Sequence, residues 1–248
     1  MDEVYKFGLA GKNIGYSYSP LIYKQLFQRY RCPCVYEIAD VDSAFEIIAY
    51  LQDPSYVGFN ITIPYKREIV TYLDELDPPA ETTGVVNTIL FDEGKVNGYN
   101  TDIAGFRYAL KKKWKAQHNR ALILGTGATS ESVAYVLKQM GIPFLKVGRK
   151  KQRDALAYDD LTRDIVKDHR LIVNTTPLGN KNYPGMFPPL PYEAVTDGHY
   201  LFDVNYNPSE TPFLAFGRRQ GAVTQNGLRM LVAQAVESWK IWRRYLSR

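Results

Sequence analysis

The chain has 248 residues, 45% hydrophobic and 23% charged, with a net charge of +5 and a pI near 9. That length holds one large α/β domain or two smaller ones, and the composition excludes a disordered chain. No apolar run approaches a membrane span, and MDEVYKFGLAG lacks the charged-then-apolar pattern of a signal peptide, so neither a membrane partner nor export is expected.

Counting narrows the chemistry further. His118, His169 and His199 are scattered, none with a partner at ligand spacing, so no metal site is expected. The same scarcity excludes Ser-His-Asp and Cys-His arrangements and leaves Lys, Asp, Tyr or a cofactor. Cys32 and Cys34 stand too close for an ordinary structural disulfide, and with the missing signal they predict a reducing cytoplasm. Basic runs fall at Arg107 to Arg120, Arg149 to Arg153 and Lys240 to Arg248. The first and last read as solvated helix faces, and no nucleic-acid motif accompanies them.

In chain order, YKFGLA (5–10) reads as a strand, followed by GKNIGYSYSP. Ser17 and Ser19 are two apart, so an extended loop aims both hydroxyls at one ligand. Ser19 before Pro20 also reads as the N-cap of a helix reaching about Tyr30, whereas Ser17 has no such local use. CVYEIA (34–39) is a second strand and Asp42 to Leu51 an amphipathic helix.

In GFNITIPYKRE (58–68), Phe59, Ile61 and Ile63 alternate with Asn60, Thr62 and Pro64, the period of a strand. Two readings stand here. In one, Asn60 and Thr62 share a face lining a cleft, where an amide and a hydroxyl bind a polyol. Lys66 then opens a helix whose dipole disfavours its charge. In the other, this is an edge strand followed by a solvated lysine. The β-α-β-α-β run predicts a parallel sheet.

One or two short helices to Thr83 come next. VVNTILF and KVNGYN then flank Asp92-Glu93-Gly94 as a β-hairpin, which adds antiparallel strands and places Asn87 and Thr88 in its first arm. Asn100, Thr101 and Asp102 close the second arm before a helix to about Lys115. Capping accounts for one of these three polar residues.

RALILG (120–125) begins a second unit, running into GTGATS and a helix stopped by Gly141. Gly125 and Gly127 match the first two glycines of a dinucleotide fingerprint, and Ser130 takes the third place. Gly125 permits the tight turn, and Gly127 lets a pyrophosphate approach the helix N-terminus. The next strand, FLKVGRK, ends in Arg149-Lys150-Lys151 where an NAD site carries an acid, so NADP is preferred over NAD. LIVNTTPLG (171–179) and YLFDVNYNP (200–208) are further strands. Their ends, Asn174-Thr175-Thr176 and the end beside Tyr206, face the ligand crevice. A Pro- and Gly-rich loop (180–192) is expected to fold over the cofactor. Asn226 to Arg248 reads as one helix with Met230, Val232, Ala233, Ala235, Val236 and Trp239 in its core and Gln234 as a polar exception.

Taken in order, YSYSP, GFNITIPYKRE, GVVNTI, GYNTDIAGF, LGTGATS, GRK, NTTPLG, DVNYNP and GLRMLVAQA resemble the shikimate dehydrogenase family over nearly the whole chain. The resemblance implies an α/β protein of two domains with the active site between them. A mixed, mainly parallel substrate domain (1–103 plus the helix 226–248) accompanies a Rossmann-like NADP domain (104–225). It implies reversible reduction of 3-dehydroshikimate to shikimate with NADPH, on the route to chorismate and the aromatic amino acids. By position, Ser17 and Ser19 resemble the pair that binds the substrate carboxylate. Asn60, Thr62, Asn87, Tyr206 and Gln234 are similar to the residues that hold the ring hydroxyls, and Lys66 and Asp102 to the catalytic pair.

On the cofactor side the family implies Gly125, Thr126, Gly127, Ala128, Thr129 and Ser130 as the phosphate loop and Arg149 as the clamp on the adenosine phosphate. Asn174 and Thr175 join the cofactor set, and Val204 and Gly227 line the nicotinamide. The chain departs from the family at GTGATS, where GAGGA or GAGGS is usual, and at GRK, which leaves Lys150 to contact phosphate in place of a threonine. Asn180 also stands where Met often follows NTTPLG. A monomer or homodimer without nucleic acid is expected. The competing readings are an NAD-dependent quinate/shikimate dehydrogenase, disfavoured by the Arg149–Lys151 cluster, and a non-catalytic metabolite sensor, disfavoured by the intact Lys66 and Asp102. A polyanion-binding protein rests on charge alone.

Overall fold

The computed structural model describes residues 4–246, which form two compact units. One holds the chain to Gly105 together with the part from Leu231, and the other is Phe106–Met230.

The first unit begins with β1 (Tyr5–Gly11), α1 (Ser19–Tyr30), β2 (Cys34–Asp40), α2 (Ala44–Ala49) and β3 (Tyr56–Ile61). Side-chain caps start the short helices: Ser43 accepts from the Glu46 N–H before α2. Then come β4 (Glu75–Leu76), α3 (Pro78–Thr83), β5 (Thr88–Asp92), β6 (Lys95–Tyr99) and α4 (Asp102–Leu110). The sheet order is β2-β1-β3-β5-β6-β4. β1 pairs in parallel with β2 and β3, while β5 is antiparallel to β3 and β6. Glu93 (φ 52°) and Gly94 (φ 76°) supply the two positive φ angles of a tight hairpin turn.

β3 therefore lies inside the sheet and is covered on both faces. Phe59 and Ile61 pack with Ile47, Ile69 and Ile89 on one side. Phe7, Tyr23, Phe27, Trp239 and Trp242 cluster on the other. The edge-strand reading of this segment is thereby removed.

The second unit contains β7 (Ala121–Leu124), α5 (Ala128–Gln139), β8 (Phe144–Gly148), β9 (Ala155–Ala157), α6 (Arg163–Asp168), β10 (Leu171–Asn174), β11 (Tyr200–Asp203), α7 (Pro212–Arg219) and β12 (Val223–Gln225). All its strands are parallel, in the order β12-β11-β10-β7-β8-β9. Numbered within the unit this is 3-2-1-4-5-6 read from β9, the doubly wound Rossmann order, with its switch point between β7 and β10. α8 (Leu228–Leu246) ends the described chain. Among the described residues no helix is long and apolar enough to cross a membrane.

Several local expectations are corrected. Lys66 does not open an α-helix. It sits in a turn ahead of a five-residue 3-10 stretch, Glu68–Tyr72, so the helix-dipole argument does not apply to it. β3 ends at Ile61, and Ile63 is 48% exposed instead of continuing the alternation. Ser19 is not the N-cap: Tyr18 holds that position, and Ser19 is already helical. Cys32 and Cys34 are joined as a disulfide with Cα atoms 5.3 Å apart, not separate thiols. Val232 is 41% exposed, whereas Ser238 and Trp242 are fully buried on α8. α4 stops at Leu110, where its buried residues Phe106, Ala109 and Leu110 give way to three exposed lysines.

Candidate active site

Lys66 is placed by the chain on both sides of it. The Tyr65 N–H donates to the Thr62 carbonyl (3.0 Å), closing the turn after β3, and the Tyr65 phenol donates to the Val41 carbonyl (2.8 Å). The Lys66 carbonyl in turn accepts from the Val86 N–H (2.9 Å). With its backbone held, the ammonium reaches Asp102 Oδ2 at 2.6 Å, and the two side chains are 12% and 7% exposed. The other oxygen of that carboxylate accepts from Asn87 Nδ2 (3.0 Å). Asp102 is the first residue of α4, where the helix dipole favours a negative charge. A buried pair of this kind is costly to desolvate, so its presence is better explained by chemistry than by stability.

Around the pair lies a network of amides and hydroxyls drawn from β3, β5, α8 and the segments before β5 and α4. Asn87 Nδ2 also donates to Thr101 Oγ1 (2.9 Å) and Gln234 Oε1 (3.2 Å), while its oxygen accepts from the Thr101 N–H (2.7 Å). Asn60 Nδ2 donates to Thr88 Oγ1 (3.0 Å) and Ser238 Oγ (3.0 Å), and its oxygen accepts from the Tyr36 phenol (2.8 Å). Gln234 and Ser238 stand one helical turn apart on α8 and so present one face. Asn100 bonds Thr83 (3.0 Å), so Asn100, Thr101 and Asp102 each have a tertiary partner.

The serine pair has a different local logic from the expected one. Ser17 Oγ accepts from the Ser19 N–H (3.2 Å) and donates to Ser19 Oγ (3.1 Å), so Ser17 steadies the helix start while Ser19 is 4% exposed. Thr62 follows β3, its N–H on the Ala10 carbonyl (2.9 Å). Lys66, Asp102, Asn60, Asn87 and Gln234 are thus brought into one connected network in the first unit. Tyr206 belongs to the second unit, half-buried three residues beyond β11. Sequence reasoning missed Ser238 and Tyr36. Helical spacing from Gln234 pointed to the first, and nothing local marked the second.

In the second unit the glycine loop lies at the switch point. Gly125 has φ +112°, and a Cβ there would stand 2.6 Å from Thr175 Oγ1. The Thr175 hydroxyl and N–H both bond the Leu124 carbonyl (2.7 and 2.8 Å), tying the end of β10 to the end of β7. Beside Gly127 nothing lies within 4 Å of where a Cβ would be, which leaves room for a phosphate against the backbone at the start of α5. Ser130 turns its hydroxyl back to the Gly127 carbonyl (2.6 Å) and is fully buried. Thr126, Ala128 and Thr129 complete the loop.

Arg149, Lys150 and Lys151 are exposed just past β8. A Cβ on Gly227 would fall 2.0 Å from the Val204 carbonyl oxygen, so only glycine lets these two segments close. Asp203, fully buried, accepts from Asn174 Nδ2 (3.1 Å), the Asn205 N–H (2.9 Å) and Thr211 Oγ1 (2.6 Å). Burial pushes its carboxyl up to about 6. Open space at Gly127, a helix N-terminus and a basic strand end fit a dinucleotide with an extra phosphate.

An α/β chain whose second unit has the Rossmann strand order and a glycine loop at its switch point is of the dinucleotide-binding class. The family described as Shikimate dehydrogenase substrate binding domain matches residues 9–89. A protein named Shikimate dehydrogenase (NADP(+)) from Chlorobaculum tepidum is 37% identical, covering 95% of this chain and 89% of the relative. Among solved structures, shikimate dehydrogenase from Aquifex aeolicus superposes with a TM-score of 0.88 at 28% identity, covering 98% of this chain and 93% of the other. A shikimate 5-dehydrogenase from Thermus thermophilus, solved with NADP(H) and shikimate, gives 0.86 at 28% identity over 96% and 93%. The chain belongs to the shikimate dehydrogenase family.

Proposed function

We propose that the protein catalyses the reversible NADPH-dependent reduction of 3-dehydroshikimate to shikimate, with Lys66 and Asp102 as the catalytic pair. The observation that carries this reading is the buried 2.6 Å contact between them inside a ring of amide and hydroxyl groups, in a chain of this family. NADPH, when bound, supplies the hydride. As the carbonyl carbon gains it, the C–O π pair moves to oxygen, and the Lys66 ammonium gives that oxygen its proton. Asp102 holds the ammonium and balances its charge, and Asn87 fixes the carboxylate through its second oxygen. Ser17 and Ser19 take the substrate carboxylate, and Asn60, Thr62, Asn87, Tyr206 and Gln234 orient the ring.

The glycine loop Gly125 to Ser130, with Asn174 and Thr175, holds the cofactor phosphates. Arg149 and Lys150 take the 2′-phosphate, and Val204 and Gly227 line the nicotinamide. A cytoplasmic setting, where a reduced dinucleotide pool is at hand, and a monomer or homodimer complete the reading. The test is initial rates of dinucleotide reduction with shikimate and with quinate, each with NADP and with NAD. Shikimate with NADP should be fastest. A preference for NAD, or for quinate, would replace this reading with a quinate/shikimate dehydrogenase, and no turnover would favour a metabolite sensor.

A further inference from the structure

Tyr36 joins two parts of the polar network. Its hydroxyl donates to Asn60 Oδ1 at 2.8 Å, and its ring packs on Tyr23 of α1, the helix that begins at Ser19. At the head of α1 Ser17 donates to Ser19, and on the other side of Tyr36 a hydrogen-bonded chain begins at Asn60. From Asn60 it continues through Thr88 to Asn87, and from Asn87 to Asp102 and Lys66. Because the phenol has a single proton and gives it to Asn60, the Asn60 amide is turned with its nitrogen toward Thr88 and Ser238.

The ring itself has little freedom. It stacks on Tyr23 with centroids 4.1 Å apart and planes 10° from parallel. Tyr23 sits on α1 one turn beyond Ser19, on the same buried face. Its own hydroxyl donates to the Ala235 carbonyl (3.3 Å). Burial raises the Tyr36 phenol well above the ordinary tyrosine range, so it stays a neutral donor.

We propose that Tyr36 is a positioning residue of the substrate site, holding the Asn60 amide in the orientation that receives the ring of a small cyclic hydroxy acid. The inference rests on the proposed function. It differs from a structural role in what it predicts, because a ring that only packs would act through stability and not through the affinity for the acid.

Tyr36→Phe keeps the ring and the stack and removes the one oxygen. With the parent active on shikimate and NADP, the variant should raise the KM for shikimate about tenfold, the effect of leaving a buried amide oxygen without its donor. The kcat should stay within about twofold and the KM for NADP unchanged. In a double-mutant cycle with Asn60→Ala, the two losses should be less than additive, since the Tyr36 hydroxyl acts through the Asn60 amide. Tyr36→His, which restores a ring donor, should recover part of the affinity, and it also serves if the Phe variant does not fold. An unchanged shikimate KM in a folded Tyr36→Phe enzyme, or strictly additive losses in the cycle, would overturn the role of Tyr36 while leaving the proposed function intact. A parent that does not turn over shikimate would remove the proposed function first, and the role of Tyr36 with it.

Discussion

The two candidate sites are built on different principles. In the first unit, side chains bond one another across long sequence separations: Asn60 meets Ser238, and Asn87 meets Gln234. In the second, polar side chains mostly bond nearby or main-chain groups. Thr175 bonds the Leu124 carbonyl, Ser130 bonds Gly127, and Thr176 bonds Asn174. The first arrangement suits the small polyol proposed for it, where each amide must face one way. The second suits the phosphate proposed to lie on its backbone, where the absence of a side chain matters most.

The contrast is sharpened by removing its parts. Asp102→Asn breaks the charge balance of the first site and should lower kcat by about 10²–10³ with KM changed by a few-fold. A larger effect on KM than on kcat, read from steady-state kinetics, would make Asp102 a binding residue.

Asp203 tests the second unit through pH. Its carboxyl is pushed up by burial from the ordinary 3.8 to about 6, so the folded state holds its proton more tightly than the unfolded one. This contribution to stability is complete below about pH 4 and lost as pH rises through 6. A difference of about two pH units corresponds to about 3 kcal/mol. Denaturant unfolding of the parent minus that of Asp203→Asn should therefore fall by about that amount between pH 4 and 7. A flat difference would mean the carboxylate is charged in the fold throughout.

Gly227→Ala forces a methyl group into the Val204 carbonyl and should cost about 1–3 kcal/mol of overpacking, appearing as a raised KM for NADP with that for shikimate little changed. Ser238→Ala is the mildest. It leaves Asn60 and Thr88 short of one partner, and thermal unfolding should register a loss of about 1 kcal/mol.

The same contrast explains what the sequence disclosed. The glycine loop, the strand before it and the missing acid after β8 are local patterns, so periodicity and composition sufficed. The Asp92–Gly94 hairpin was legible because its turn chemistry is local too. In the first unit, Asn60, Asn87 and Gln234 are unremarkable residues on three separate segments, and only the family resemblance linked them. Ser17 and Ser19 were legible as a pair, but which one steadied the helix depended on the backbone at Tyr18. Tyr36 looked like an ordinary strand tyrosine, since its meaning lies in Asn60 and Tyr23. β4, β9 and β12 escaped notice because two or three residues are too few to show a period.

The central claim is that the Lys66 ammonium gives the nascent hydroxyl its proton. Its most direct test is the kcat of Lys66→Met with saturating shikimate and NADP, in a variant shown by circular dichroism to be folded. A fall of about 10²–10⁴ is predicted. Turnover within a few-fold of the parent would contradict the account and leave the proton to another group.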